Sequence, residues 1–499
     1  MFQRSATTLG AAIVALLAIQ RYVAVFKDAL IDDAFIQLQY GQTLATSGTW
    51  GVFVDRVTNT ATSPLNVVLT ALAGLMAPTM LDAVVWLTAL EMLALLVFLL
   101  LASRKLFDGY AFGALAFVAC VANPLVVSTI GLEGVLFITW IGAAIYCFAA
   151  GRWSALAVCL ALLTLTRADG ALLFAVFLVA LPVNLGTKVR FVAIYALTMV
   201  PWFAFSWVHL GSVLPDTLQI KMGQPAFQAY GTYRHGPMFY VRTFPVAAVL
   251  SIAMLPFGAF LLATAHRPAR KVAAIIAAFG ALHFIAYTAL KVPPYHWYYL
   301  NEVVACALVG SLGLASVLHD RLSAARARTV VLLAGMAIPV AGIVAVTGSV
   351  HPLEVPIHSN WGTHATYKEM GLWLRDHTDP AATILCGGEF GTLAFYSQRL
   401  LINEFSDMNV MTDVIARKVR RDGPIADALF RMNYYWRRQQ PPVARPQYRL
   451  DMNRPRFGEL SAAAEGSIMS WQMTTRFIQR VTPNRRVLFA LRPSTPAVP

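Results

Sequence analysis

The sequence predicts a polytopic α-helical membrane protein that carries a soluble α/β domain at its C-terminal end. Three observations predict this. Of 499 residues, 58% are hydrophobic and only 13% are charged, where a soluble domain carries about a quarter. Apolar runs of membrane-helix character recur between residues 9 and 349, separated by short Lys and Arg clusters. From His351 the apolar runs shorten, and Pro, Asp, Asn and Arg increase.

Eleven candidate spans are read in order: 9–27, 82–102, 109–130, 133–150, 154–166, 170–184, 191–208, 243–265, 272–290, 298–318 and 329–349. The first run follows Arg4 as a signal peptide would, but no small-x-small cleavage site follows it, so it reads as a retained span. The runs on either side of Arg167 are short, as tilted or broken helices lining a protein cavity would be. Basic clusters at Arg104-Lys105, Arg152, Lys188 with Arg190, Arg267-Arg270-Lys271 and Arg321 with Arg326 and Arg328 mark the cytoplasmic side. The formal charge of +14 is read mainly as these loops, so it calls for no nucleic-acid partner.

A further apolar run, 64–77, breaks the parity of this arrangement if it crosses the membrane. Residues 63–79 therefore read as a helix on the outer surface, started by Pro64 and ended at Ala77-Pro78. The expectation is an inner-membrane, multi-pass chain with a cytoplasmic N-terminus and an extracytoplasmic C-terminal domain. Residues 1–350 form the membrane domain, with an outer loop at 28–81, and residues 351–499 form the soluble domain. Asp32, Asp33, Glu133, Arg167, the loop 209–242 and residues 291–297 then fall on the outer side.

In the soluble part, the spacing predicts a helix over 367–377, strands at 383–386 and 400–402, a helix over 390–396 and a closing strand at 487–491. The Arg, Pro and Gln of residues 436–456 read as an irregular loop. Gly387-Gly388 is no phosphate loop, since no Lys-Ser or Lys-Thr follows it. Of five cysteines only Cys386 lies in the soluble part, and none shows metal-ligand spacing.

The adjacent acids Asp32 and Asp33 stand just past the first span and lead into an amphipathic helix with Phe35, Leu38, Tyr40 and Leu44 on its apolar side. Ionisable groups beside a span are costly and default to a functional hypothesis. A carboxylate there can act as general base on a hydroxyl while a lipid substrate stays in the bilayer. The same pair also suits a helix N-cap with a first-turn acid.

Asp32-Asp33-Ala34-Phe35-Ile36 with Tyr40, Gly48 and Thr62-Ser63-Pro64-Leu65 resembles the first outer loop of bacterial GT-C glycosyltransferases. The resemblance is to mycobacterial terminal arabinofuranosyltransferases and, more distantly, to lipid A aminoarabinose transferases and protein O-mannosyltransferases. It extends to Gly131-Leu132-Glu133, to Leu165-Thr166-Arg167-Ala168-Asp169-Gly170, to Leu214-Pro215-Asp216-Thr217 with Lys221, and to Gly387-Gly388-Glu389-Phe390-Gly391. It implies a GT-C fold and a cell-envelope glycosyltransferase using a polyprenyl-phosphate sugar donor. The acceptor would be an envelope glycan, lipid or protein, reached among membrane lipids. Asp32 would be the base and Asp33 would orient the acceptor or a cation; a divalent cation beside them is left open. Three departures stand out. Thr62-Ser63 replaces a family Lys, Arg167-Ala168 replaces Arg-Pro, and Pro294-Tyr295-His296-Trp297 replaces a late Arg.

Donor- or acceptor-binding candidates are Ser63, Glu133, Arg167, Lys221, Tyr295 and His296. Each has a plain structural reading beside the functional one. Arg167 suits bidentate phosphate binding or a pair with Asp169. Glu133 suits the dipole at a helix start. Lys221 and His296 suit simple surface placement, and Tyr295 an interfacial aromatic belt. A transporter or flippase of lipid-linked sugars, or a polysaccharide polymerase or ligase, are the alternative functions. One-sided acids and the lack of an internal repeat speak against transport.

Overall fold

The computed structural model describes residues 2–54, 56–217, 220, 231–264, 268–322, 324–347, 355–357, 360–407, 410, 423–424, 427–428, 445–473 and 485–494. The chain forms two compact units: Met1–Lys27, Val84–Pro201 and Tyr233–Ile357 in the first, and Asp28–Ala83, Trp202–Thr232 and His358–Pro499 in the second. Up to residue 205 the helices are α1 (Phe2–Phe26), α2 (Asp32–Ser47), α3 (Pro64–Gly74), α4 (Met80–Phe107), α5 (Ala111–Val121), α6 (Pro124–Val127), α7 (Gly134–Ala149), α8 (Trp153–Thr166), α9 (Gly170–Ala180) and α10 (Leu185–Phe205).

The first unit is a helical bundle. Among the described residues, six helices are long and apolar enough to cross a membrane: Met80–Phe107, Leu185–Leu210, Pro245–Thr264, Pro268–Ala289, His296–Asp320 and Arg326–Val344. The other predicted spans also fall on helices, but shorter or broken ones. The run 109–130 breaks at Asn123-Pro124, where the Asn123 side chain caps α6 by accepting the Leu125 N–H at 2.9 Å. Helices Leu255–Thr264 and Leu300–Asp320 cross closely. A Cβ on Gly313 would sit 2.1 Å from the Phe257 carbonyl oxygen, so only glycine fits there. α8 stops where Arg167 turns extended (φ −150°, ψ 130°), and α9 restarts at Gly170, whose missing Cβ admits the Leu163 backbone. This break presents Arg167-Ala168-Asp169.

The second unit contains α2, α3 and a mixed sheet of five strands. They are β1 (Thr383–Cys386), β2 (Leu400–Ile402), β3 (Tyr448–Asn453), β4 (Met469–Met473) and β5 (Val487–Pro493), in the order β2-β1-β3-β5-β4. β1 runs parallel to β2 and β3, and β5 antiparallel to β3 and β4. Helix His364–His377 buries Tyr367, Met370 and Leu374, with Tyr367 edge-on to Phe489 of β5. β3 corrects the expectation of an irregular loop over 436–456. Tyr448, Leu450 and Met452 alternate with Arg449, Asp451 and Asn453, a strand pattern hidden by the surrounding Arg, Pro and Gln.

The second unit groups the outer loop with the C-terminal residues. The outer loop belongs with the C-terminal residues because polar contacts fasten it there. Arg56 pairs with Asp407 at 3.1 Å, and the Thr60 hydroxyl donates to the Phe405 carbonyl at 2.7 Å. α3 has 11 residues, a rise of about 17 Å against a hydrocarbon core of about 30 Å. It is too short to cross alone.

Candidate active site

Asp32 opens α2 and is only 4% exposed. Its Oδ2 accepts the backbone N–H groups of Phe390 (3.1 Å) and Gly391 (3.0 Å), and its Oδ1 accepts that of Thr392 (2.8 Å). These are the unpaired donors at the start of helix Gly391–Ser397. Asp32 thus caps a helix more than 350 residues downstream. Gly391 is required, since a Cβ there would lie 2.3 Å from the Asp32 carbonyl oxygen. Phe35, on the same face of α2, stacks on His364 and packs against Phe395 and Tyr396.

Burial pushes the Asp32 carboxyl up; the Thr392 and Gly391 N–H groups oppose this and Asp33 adds to it, with a net rise to about 6. Nearby Glu389 accepts from the Asn360 side chain (2.8 Å), the Trp361 N–H (2.9 Å) and the Tyr367 hydroxyl. Burial and the Asp32 charge push Glu389 up to about 8. Near neutrality Asp32 is therefore ionised and Glu389 protonated. A carboxyl raised on folding stabilises fully below its unfolded pKa and loses that contribution as pH rises through its folded one. Wild-type thermal stability is expected to fall as pH rises from the ordinary carboxyl value of 4.5 to the Glu389 folded pKa of about 8 and to level off above it, and Glu389→Gln to flatten that fall. Parallel melting curves against pH check this.

Asp33, the next residue, is half-buried rather than enclosed. The rest of the loop is fastened by hydrogen bonds of its own. The Tyr40 hydroxyl bonds to the Thr58 and Thr60 hydroxyls at 2.5 and 2.8 Å, and the Asn59 amide donates to the Ser212 hydroxyl at 2.7 Å. Ser63 is fully buried at the start of α3, and its hydroxyl has no hydrogen-bond partner among the described residues.

In the first unit, Glu133 and Arg167 come together in a buried network. Arg167 Nη1 donates to Glu133 Oε1 at 3.0 Å, and Nη2 to Asp169 Oδ2 at 2.9 Å. Asp169 Oδ2 also accepts from Tyr287 (3.2 Å) and Asn301 (2.9 Å) and meets His283 Nε2 at 3.1 Å. His283 Nδ1 lies 2.7 Å from Glu302 Oε1, which accepts the Tyr233 hydroxyl at 3.0 Å. Two carboxylates surround the one guanidinium, so Arg167 offers no free positive charge to a phosphate. The geometry therefore favours its structural reading. His283 and Tyr287 were missed from the sequence, although their i, i+4 spacing in an apolar helix puts both on one face. Asn301, Glu302 and Tyr233 carried no comparable signal.

Tyr295 precedes a short 3-10 turn, His296–Tyr299, and stacks on Trp297 at 4.6 Å; His296 is fully buried beside Trp297. Lys221 lies outside the described residues. Among the described residues, no group of three or more His, Cys, Asp or Glu side chains is placed to hold a metal ion.

No family model matches the chain, and no curated protein matches it. Solved structures do. ArnT from Cupriavidus metallidurans bound to undecaprenyl phosphate is similar at TM-score 0.58 and 13% identity, over 96% of this chain and 97% of that one. Arabinofuranosyltransferase AftD from Mycobacteria is similar at TM-score 0.52 and 15% identity, over 98% of this chain and 40% of that one. The Archaeoglobus fulgidus oligosaccharyltransferase, tethered with an acceptor peptide, is similar at TM-score 0.50 and 13% identity, over 89% of this chain and 69% of that one. All three are GT-C glycosyltransferases. The architecture is thus the GT-C fold, a multi-pass helical membrane part with a small C-terminal sheet, and at these identities the likeness is one of fold.

Proposed function

We propose that the chain moves a sugar from a polyprenyl-phosphate donor to a hydroxyl of a cell-envelope glycan, lipid or protein, outside the cytoplasmic membrane. The observation that carries this reading is the acid pair at the start of α2, built into a GT-C fold with one carboxylate enclosed and its neighbour half-open. Asp32 spends both oxygens on backbone N–H groups and acts as a positioning residue. The base role expected of Asp32 therefore passes to Asp33. Asp33 takes the proton of the acceptor hydroxyl as its oxygen forms a bond to the anomeric carbon. The bond from that carbon to the phosphate oxygen breaks, and its electron pair leaves with the phosphate. One displacement inverts the anomeric carbon. The leaving phosphate needs charge stabilisation rather than a proton. With Arg167 neutralised, that role falls to other groups, of which Lys221 and the buried Ser63 hydroxyl are the candidates.

A donor panel tests the reading. Purified protein in lipid nanodiscs is given polyprenyl-phosphate pentoses, polyprenyl-phosphate hexoses or nucleotide sugars, with envelope extract as acceptor, and lipids are followed by mass spectrometry. Loss of one lipid-linked sugar with release of polyprenyl phosphate is expected. Consumption of a nucleotide sugar with every lipid-linked donor untouched would overturn the donor class.

Asp32→Asn separates positioning from chemistry. One amide oxygen replaces two carboxylate oxygens, so at least one of the three N–H donors is orphaned. The expected cost is about 1–3 kcal/mol, read as a lowered melting temperature with activity falling alongside. Asn caps a helix about as well as Asp only where the cap uses one oxygen.

A further inference from the structure

The opposite end of α8 from Arg167 carries a second feature, independent of the acid pair. A cavity of about 450 Å³ is lined by Gly151, Arg152, Trp153, Ser154, Thr187 and Arg190, where the α7–α8 turn meets the start of α10. α8 has 14 residues, so this cavity lies about 20 Å along its axis from Arg167. A third cation stands at the same end, with Lys271 Nζ 5.6 Å from the Phe148 ring, which packs edge-on against Trp153. Arg152 lies over Tyr146 at 5.5 Å. Among the described residues no carboxylate pairs with Arg152, Arg190 or Lys271, unlike the fully neutralised Arg167.

On α8, Val158 is exposed and shares a helix face with the cavity-lining Ser154 and Ala155. A concave site with two arginines that no described carboxylate pairs, beside the exposed aliphatic Val158, fits a molecule with an anionic head and an apolar tail. Basic pockets between membrane helices at the cytoplasmic side hold lipid head groups by this chemistry. The positive-inside pattern places Arg152, Arg190 and Lys271 on that side.

We infer that this cavity holds the phosphate head group of an anionic phospholipid, with Arg152 and Arg190 as forked donors to the phosphate oxygens. Its acyl chains run along α8 past Val158, and Trp153 marks the depth of the interface. The site needs no part of the glycosyl-transfer chemistry.

Retention by native mass spectrometry tests it. Full-length protein in neutral detergent is equilibrated with equal amounts of phosphatidylglycerol and phosphatidylcholine, with and without millimolar inorganic phosphate. Wild type is expected to keep phosphatidylglycerol preferentially, and inorganic phosphate to leave it in place. Arg152→Gln/Arg190→Gln is expected to lose that retention roughly thirtyfold, while Arg152→Lys/Arg190→Lys keeps most of it. Equal retention of the two lipids by wild type would overturn the site, as would undiminished retention in a folded Gln double variant. Ready displacement by inorganic phosphate would reassign the cavity to a free anion and sink the lipid proposal. Should the Gln variant not fold, the wild-type lipid preference and the phosphate arm still decide.

Discussion

Asp33→Asn is expected to lower sugar transfer by about 10²–10⁴-fold, the usual cost of removing a general base, with little change in melting temperature. The reasoning rests on what its neighbour does. Asp32 accepts three backbone N–H groups on its two oxygens and is 4% exposed, so an acceptor hydroxyl has poor access to it. Asp33 stands one residue on, half-buried, where a substrate can approach it. Asparagine keeps its shape and removes the proton acceptor. The two variants should therefore part: Asp32→Asn loses stability and activity together, whereas Asp33→Asn loses activity from a folded protein. Turnover near wild type in Asp33→Asn would return the base role to Asp32 or to another group.

Arg167→Ala is expected to destabilise the protein by about 3–5 kcal/mol, because removing one partner of a buried ion pair leaves the others uncompensated. Here Glu133 and Asp169 would both lose the guanidinium, and Asp169 would keep only His283, Tyr287 and Asn301. The effect should appear as a lowered melting temperature in detergent rather than as a donor KM change. Arg167→Lys should fall between, since an ammonium cannot span two carboxylates as a fork does. A stable Arg167→Ala protein whose donor KM alone rises would restore the phosphate role.

The helices were legible because apolar run length is a local signal. Among the described residues, each run read between 9 and 349 contains helix, short or broken in places as at Asn123-Pro124, and six of these helices are long and apolar enough to cross a membrane. The acid pair is visible in the sequence, with a capping reading and a chemical one. What no local signal supplies is the partner, because the donors to Asp32 come from residues 390–392. Arg167 illustrates the same limit. Asp169 was visible two residues away, whereas Glu133, which completes the neutralisation, is 34 residues distant. Glu389 stands in the Gly387–Gly391 stretch with no local sign that it is a buried acid near Asp32. β3 was lost because a good alternation of six residues sat inside a tract rich in Arg and Pro.

The division of labour between the two acids is tested most directly by single-turnover release of polyprenyl phosphate from a lipid-linked sugar. Wild type, Asp32→Asn and Asp33→Asn are compared at equal folded concentration, with acceptor present and absent. Acceptor-dependent release by wild type is predicted, with the chemical step nearly abolished in Asp33→Asn and only partly reduced in folded Asp32→Asn. Release at the wild-type rate from Asp33→Asn, with Asp32→Asn inactive though fully folded, would contradict it.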